Sequence, residues 1–416
     1  MTILEDLQWR EAIHQQTDEE GLQALLSEKK ISLYCGADPT GDSLHIGHLI
    51  PFMIMKRFQL AGHRPIILIG GATGSIGDPS GRNSERTLQT HETVKENARK
   101  LTLQMQHIFG QDMTIVNNYE WTSQLTLLDF LRDVGKQFNV NTMLSKEVVA
   151  SRLETGISFT EFTYQILQSM DFLHLYRHHQ VQLQIGGADQ WGNITAGLDY
   201  IRRCEGPEAQ VFGLTIPLML KSDGTKFGKS AGNAVWLDPE KTSPYEFYQF
   251  WLNQQDQDVI KFIKYFTFLD REEISELEKE IEERPHLRLA QKRLAEEVTA
   301  FVHSPEALKE AQMMTEALFS GNFRSLNGKQ IEQLFQGMKA YHTDKQAHNL
   351  AVWLVDTGIV DSRRQSREFI SNGAISINGE KIDDTEFELT PEMAIDQKYY
   401  IVRRGKKNYY LVTIED

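Results

Sequence analysis

The chain has 416 residues, 40% hydrophobic and 25% charged, with a net charge of −14 at neutral pH. That length suits two or three domains rather than one small core. The acidic balance argues against bulk affinity for nucleic acid, without excluding a local basic face. No apolar run approaches the ~18 residues that span a bilayer; "LIPFMIM" ends at Lys56 and Arg57. The acidic N-terminus, "MTILEDLQWREAIHQQTDEEG", lacks the patterns of signal and transit peptides, so a cytoplasmic protein without membrane contact is expected. Two cysteines, Cys35 and Cys204, are too few for a disulfide framework or a cysteine-based zinc site. No tightly bound metal or prosthetic group is expected.

Residues 1–30 read as helical, from the apolar spacing of "ILEDLQWREAIHQ" and the acid-first order of "DEEGLQALLSEK". "ISLYCGA" reads as a buried strand. "HLIPFMIMKRFQLAG" reads as a helix stopped by Gly62, with Pro51 in its first turn or at a kink. "RPIILIGGATGSIGDPSG" reads as a strand entering a glycine-rich loop. Together they form a βαβ unit on a parallel sheet. Helices are expected at 91–109, 124–134 and 160–176. Further strands are expected in "MTIVNN" (113–118), "VQLQIGGADQWGN" (181–193) and "LTIPLML" (214–220). From 245 to about 319 the pattern is helical. Residues 320–347 are polar and looser, with some helix. The tail reads as two short helices, each closed by glycine, then a hairpin at the Asn-Gly of "AISINGEKI" and a second around Gly405. The fold class is therefore α/β: a Rossmann-type parallel-sheet domain (1–222), a loop and helical domain (223–319), a linker (320–347) and a small α+β domain (348–416).

Two motifs carry chemistry. "HIGH", His45 to His48, sits where the first parallel strand hands over to its helix. Open α/β sheets bind nucleotides there, and the helix N-terminus attracts phosphate. Gly47 leaves room for a flat base. Alone, the motif reads equally as a capped helix with incidental histidines. "KFGKS", Lys226 to Ser230, has two lysines suited to charge that develops during reaction; alone, it reads as a solvated loop. The ordered pair is far more specific than either motif.

Together they resemble the signatures of class I aminoacyl-tRNA synthetases, and the whole chain resembles the bacterial tyrosyl branch. The carrying segments are "YCGADPTGDSLHIGHL", "GDPSGRNSER", "FTYQILQSMDFLHLY", "QIGGADQWGNITAG" and "KFGKS". The resemblance implies activation of L-tyrosine by ATP with Mg²⁺, and transfer to tRNA(Tyr). It implies that Tyr34 and Asp171 bond the phenol, that Asp78, Tyr164 and Gln168 hold the α-ammonium, and that Gln190 lies near the carboxylate. Tyr164, Gln168 and Asp171 share one helix face at i, i+4 and i+7, and a Gln and an Asp there need polar partners. For the nucleotide the resemblance implies Asp189 on the ribose and Gly47 and Gly187 against the adenosine. Cys35, Gly36 and Asp38 lie nearby, and the lysine loop, Lys226, Phe227, Gly228, Lys229 and Ser230, is likewise expected to bind ATP. Thr40, His45 and His48 would meet the phosphates or the transition state, and Lys226 and Lys229 would close on a mobile loop. Arg82 and Arg86 would assist with pyrophosphate or the tRNA end.

The tail resembles a small RNA-binding module. It carries clustered cations: Arg363, Arg364 and Arg367 on one helix, and Arg403, Arg404, Lys406 and Lys407 at one turn. A homodimer is implied by the resemblance; the apolar segment 124–145 suits that surface or a core equally. Three rivals remain. A tryptophanyl synthetase is disfavoured by the Tyr34–Asp171 pair. A small-molecule adenylyltransferase is disfavoured by "KFGKS" and the tail. A non-catalytic RNA-binding protein on a synthetase scaffold is disfavoured by retention of both motifs.

Overall fold

The computed structural model describes residues 1–416 except 82, 83, 86, 155, 226, 231, 232, 406, 407 and 416, and describes the backbone alone at 229, 230 and 233. The chain divides into two compact units, one of residues 1–242 with 250–302, the other of 243–249 with 303–416.

The first unit is built on a six-stranded sheet in the order β1-β6-β5-β2-β3-β4. Its strands are β1 (Gln15–Gln16), β2 (Ser32–Ala37), β3 (Arg64–Ile69), β4 (Thr114–Asn117), β5 (Val181–Gly187) and β6 (Phe212–Ile216). All pairs are parallel except β1 on β6. Buried runs such as Leu33 to Cys35 and Pro65 to Ile69 are what strands covered on both faces require. Four helices pack on this sheet: α1 (Ile46–Leu60), α2 (His91–Phe109), α3 (Phe159–His179) and α4 (Trp191–Glu205). From β2 the chain builds β3 and β4 to one side, then returns to build β5 and β6 on the other. The order reverses between β2 and β5, and that opens a crevice at their carboxyl ends.

The helices Asp256–Phe266, Arg271–Glu283 and Leu289–Val302 belong to this unit. Arg10 and Arg57 fasten the first of them. Both donate to the Lys264 carbonyl, at 3.0 and 3.2 Å, and share the Asp6 carboxylate.

The second unit holds a five-stranded sheet. Its strands, edge to edge, are Glu380–Ile382, Ile375–Ile377, Tyr399–Arg404, Asn408–Ile414 and Tyr341–Thr343. The expected Asn-Gly turn is present, with φ of 51° at Asn378 and 92° at Gly379.

Three local expectations change. The N-terminal helix stops at Trp9; Glu11 turns left-handed (φ 59°), and the chain then pairs as an edge strand. Segment 124–134 forms one short turn, Leu127–Asp129, and a wider π-helical turn, Phe130–Val134. Region 320–347 is not merely polar: Phe323, Leu326, Ile331 and Phe335 are buried with Met314 and Ala317 of helix Pro305–Ser320. No helix among the described residues is long and apolar enough to cross a membrane.

Candidate active site

A cleft of about 320 Å³ opens at the carboxyl ends of β2 and β5. Its lining includes Tyr34, Cys35, Gly36, Asp38, Thr40, Gly47, His48, Asp78, Tyr164, Gln168, Asp171, Gly187, Asp189 and Gln190. These residues come from five separate stretches of sequence. His45, Phe227 and Gly228 stand outside the lining. Arg82, Arg86, Lys226, Lys406 and Lys407 lie outside the described residues, as do the side chains of Lys229 and Ser230.

Asp171 on α3 is 2% exposed. Its carboxylate accepts from Asn118 Nδ2 at 2.9 Å and Trp121 Nε1 at 2.8 Å. Burial pushes the carboxyl up to about 7, against the pull of those two donors and with a further push from Asp38. Tyr34 packs on Phe172, ring centroids 5.3 Å apart. Its hydroxyl is buried and meets no hydrogen-bond partner among the described residues. Burial, then the Asp171 charge, raises that phenol well above its ordinary range. A buried hydroxyl left unpaired costs about 1–3 kcal/mol. The residues therefore suit a ligand that brings its own hydroxyl.

Three more carboxylates, Asp38, Asp78 and Asp189, line the cleft. Tyr164 OH and Thr73 Oγ1 donate to Asp38 at 2.8 and 2.7 Å. Gln190 Nε2 donates to Asp78 at 2.7 Å, and Gln168 Nε2 reaches Gln190 Oε1 at 3.3 Å. Four acids around one cleft favour a cationic group such as an ammonium. Cys35 is buried, and burial pushes its thiol up to about 12, so it is no nucleophile at neutral pH.

The spacing of the two histidines now has a local cause. His45 is the N-cap of α1 and His48 the third residue, and together they form a reciprocal capping box. Gly47 N–H donates to His45 Nδ1 at 3.0 Å, and His45 N–H donates to His48 Nδ1 at 3.3 Å. The rings stack, centroids 3.8 Å apart. Because each Nδ1 accepts, each proton resides on Nε2, which makes both rings donors suited to phosphate oxygens. Capping and ligand binding are thus compatible uses of the same residues.

The lysine loop is tied to this turn. Val235 N–H donates to Gly228 O at 3.1 Å, Ile46 N–H to Val235 O at 3.0 Å, and Leu237 N–H to Leu44 O at 2.9 Å. Trp236 bridges His45 along the same ladder. Gly228 has φ of 107°, and a Cβ there would stand 3.6 Å from Gly47 N. Phe227 is buried among Phe250, Trp251, Phe262 and Phe266. It anchors the loop and does not face the cleft.

Gly47→Ala tests this packing. A Cβ at Gly47 would meet the His45 ring at 2.9 and 3.0 Å. The ring must shift, so any chemistry that uses the His45 ring is expected to slow roughly tenfold while ligand affinity at Asp171 holds. Single-turnover rates beside equilibrium ligand titration check this.

In the second unit Arg363, Arg364 and Arg367 are exposed on helix Arg363–Ser371. Arg403 reaches Ser376 Oγ at 3.4 Å. Arg404 donates to Ile359 O at 2.6 Å and lies over Phe369 and Tyr410, so it also braces the fold.

The sequence reading missed Thr73, Asn118 and Trp121. Their only signal was position: each follows the carboxyl end of a strand, β3 or β4.

Comparison with known proteins accords with this geometry. Residues 26–320 match the family described as tRNA synthetases class I (W and Y). Residues 330–412 match a tyrosine–tRNA ligase C-terminal domain. The chain belongs to the class I tRNA synthetases of this W and Y family. Among its relatives, a tyrosine–tRNA ligase of Limosilactobacillus reuteri is 64% identical over 416 residues, covering 100% of each chain. Tyrosine–tRNA ligase 1 of Enterococcus faecalis is 64% identical over 418 residues, again 100% of each. The crystal structure of a C-terminally truncated mitochondrial tyrosyl-tRNA synthetase of Aspergillus nidulans aligns with a TM-score of 0.70 at 31% identity. It covers 76% of this chain and 94% of that one.

Proposed function

We propose that the chain is a tyrosine–tRNA ligase whose cleft performs both steps of the reaction. In the first, a carboxylate oxygen of L-tyrosine attacks the α-phosphorus of ATP in line, and pyrophosphate leaves. In the second, the terminal ribose hydroxyl of tRNA(Tyr) attacks the acyl carbon of tyrosyl-adenylate, and AMP leaves. The carrying observation is the buried Tyr34 hydroxyl beside Asp171. A phenol hydroxyl completes that pair; an indole N–H brings no acceptor for Tyr34, and phenylalanine brings nothing.

Asp78, Tyr164 and Gln168 hold the α-ammonium, and Gln190 lies near the carboxylate. Asp189 takes the ribose, with Cys35, Gly36, Asp38, Gly47 and Gly187 around the adenosine. The carboxylate is already ionised at neutral pH, so activation needs no general base. Rate comes from positioning and from donors that meet growing charge on the phosphates. Thr40, His45 and His48 supply these from one side, Lys226 and Lys229 from the loop, and Arg82 and Arg86 assist with pyrophosphate or the tRNA end. Phe227, Gly228 and Ser230 set the loop's position. Mg²⁺ arrives with the ATP phosphates.

Arg363, Arg364, Arg367, Arg403, Arg404, Lys406 and Lys407 engage tRNA phosphates. The chain works in the cytoplasm as a homodimer. Exposed Leu127, Leu128 and Leu131, at 71, 77 and 52%, support such an apolar contact. Light scattering is expected to give twice the chain mass, and Leu128→Asp to shift it toward the monomer.

Amino-acid-dependent ATP–pyrophosphate exchange tests the reading. Exchange with tyrosine alone, among tyrosine, phenylalanine and tryptophan, supports it. Exchange with tryptophan, or with none of the three in folded protein, contradicts it.

A further inference from the structure

On α3, His174 and His178 follow Asp171 at i+3 and i+7, on the face that carries the cleft residues. The Trp121 ring stacks on His174, centroids 4.1 Å apart and planes 12° apart. His174 in turn packs on His178 at 4.4 Å. The same indole donates Nε1–H to Asp171 Oδ1 at 2.8 Å. Trp121 itself sits in a single α-helical turn, Tyr119–Thr122, whose backbone bonds leave its side-chain torsions free. The other Asp171 oxygen is held by Asn118, which lies directly after β4. Both donors on Asp171 thus share one stretch of backbone, and the indole plane is held by the His174 ring together with packing on the neighbouring core.

We propose that His174 is a positioning residue for the phenol of the substrate: its ring holds the Trp121 indole flat, so that Nε1–H stays on Asp171 and the carboxylate keeps its aim. This rests on the reading that Asp171 binds the phenol. His174 touches no substrate and acts through Trp121.

Electrostatics supports the arrangement. Burial, with His178 and His179 nearby, pushes the His174 imidazole down to about 4, so it stacks as a neutral ring at physiological pH. Tyr34, Asp38 and Tyr164 face Asp171 besides its two donors. Each donor favours the ionised carboxyl. A Trp121 that swings away weakens one of them, and Asp171 then protonates at higher pH.

The test uses the full chain and tyrosine-dependent pyrophosphate exchange. His174→Ala is expected to raise tyrosine KM about fivefold, the scale of one lost ring stack. Its ATP KM and saturated rate should stay within about twofold, and the apparent pKa of kcat/KM for tyrosine should move upward. His174→Phe keeps a flat ring and is expected to restore tyrosine KM. Trp121→Phe with His174→Ala should be no worse than Trp121→Phe alone. An unchanged tyrosine KM in His174→Ala, failure of His174→Phe to restore it, or additive effects in the double variant overturns the proposal. Asp171→Asn, measured beside them, reports on the phenol reading separately. If it keeps the wild-type tyrosine KM, the underlying reading fails, and the proposal with it.

Discussion

Asp171→Asn is expected to lower kcat/KM for tyrosine by about 100-fold, with little change in ATP affinity. The argument is one of pairing. The carboxylate accepts from Asn118 and Trp121 and, in the proposed complex, from the phenol. An amide offers one oxygen and one NH₂, so one existing donor must face another donor. Losing a charge-assisted bond and leaving a buried group unpaired together cost about 3 kcal/mol. Phenylalanine offers no hydroxyl to this pair, so any exchange it supports should change far less, and discrimination falls with the tyrosine rate. Parallel exchange assays with the two amino acids check this.

The same variant carries a stability signature with a definite sign. Asp171 titrates near 7 in the folded chain and at ~3.9 when unfolded. Between those values the folded state binds more protons, so wild-type stability falls as pH rises through that window. Asp171→Asn lacks this slope. Its melting temperature relative to wild type should improve from pH 5 to pH 8, even as its activity is lost. A thermal-melt series across that range distinguishes this from general damage.

Removing His45 should have the largest effect on rate. His45→Ala is expected to slow adenylate formation about 100- to 1000-fold at saturating tyrosine and ATP, the scale of one lost transition-state donor. Tyrosine affinity should stay near wild type, because His45 lies outside the cleft lining. His45 also caps α1, so alanine costs about 1 kcal/mol of stability in addition. His45→Asn separates the two roles. Asparagine is a good N-cap but lacks the imidazole Nε2 donor, so its melting temperature should recover while its rate remains low. Recovery of both would reduce His45 to a cap.

How much of this was legible beforehand depends on how local the cause is. The β2–α1–β3 unit was readable because continuous apolar runs and a glycine-stopped helix are written in neighbouring residues. "HIGH" and "KFGKS" pointed to the family because histidines and lysines in that order are specific to it, and of the two motifs Gly47 and His48 line the cleft. Tyr164, Gln168 and Asp171 could be grouped because helical spacing alone aligns them. The ladder from Val235 to Ile46 could not be read, since it is backbone pairing between distant segments with no side-chain signature. Asn118 and Trp121 were missed for a similar reason: "VNNYEW" has turn composition, and only the fold turns it toward Asp171. Gln15 and Gln16 gave no strand signal, because a two-residue edge strand follows from β6 being there to pair with.

The most direct test of the account is a crystal structure with a non-hydrolysable tyrosyl-adenylate analogue. The phenol oxygen is expected within hydrogen-bond distance of both Tyr34 and Asp171, with the α-ammonium among Asp78, Tyr164 and Gln168. A phenol placed away from that pair, or an adenosine in its place, would contradict it.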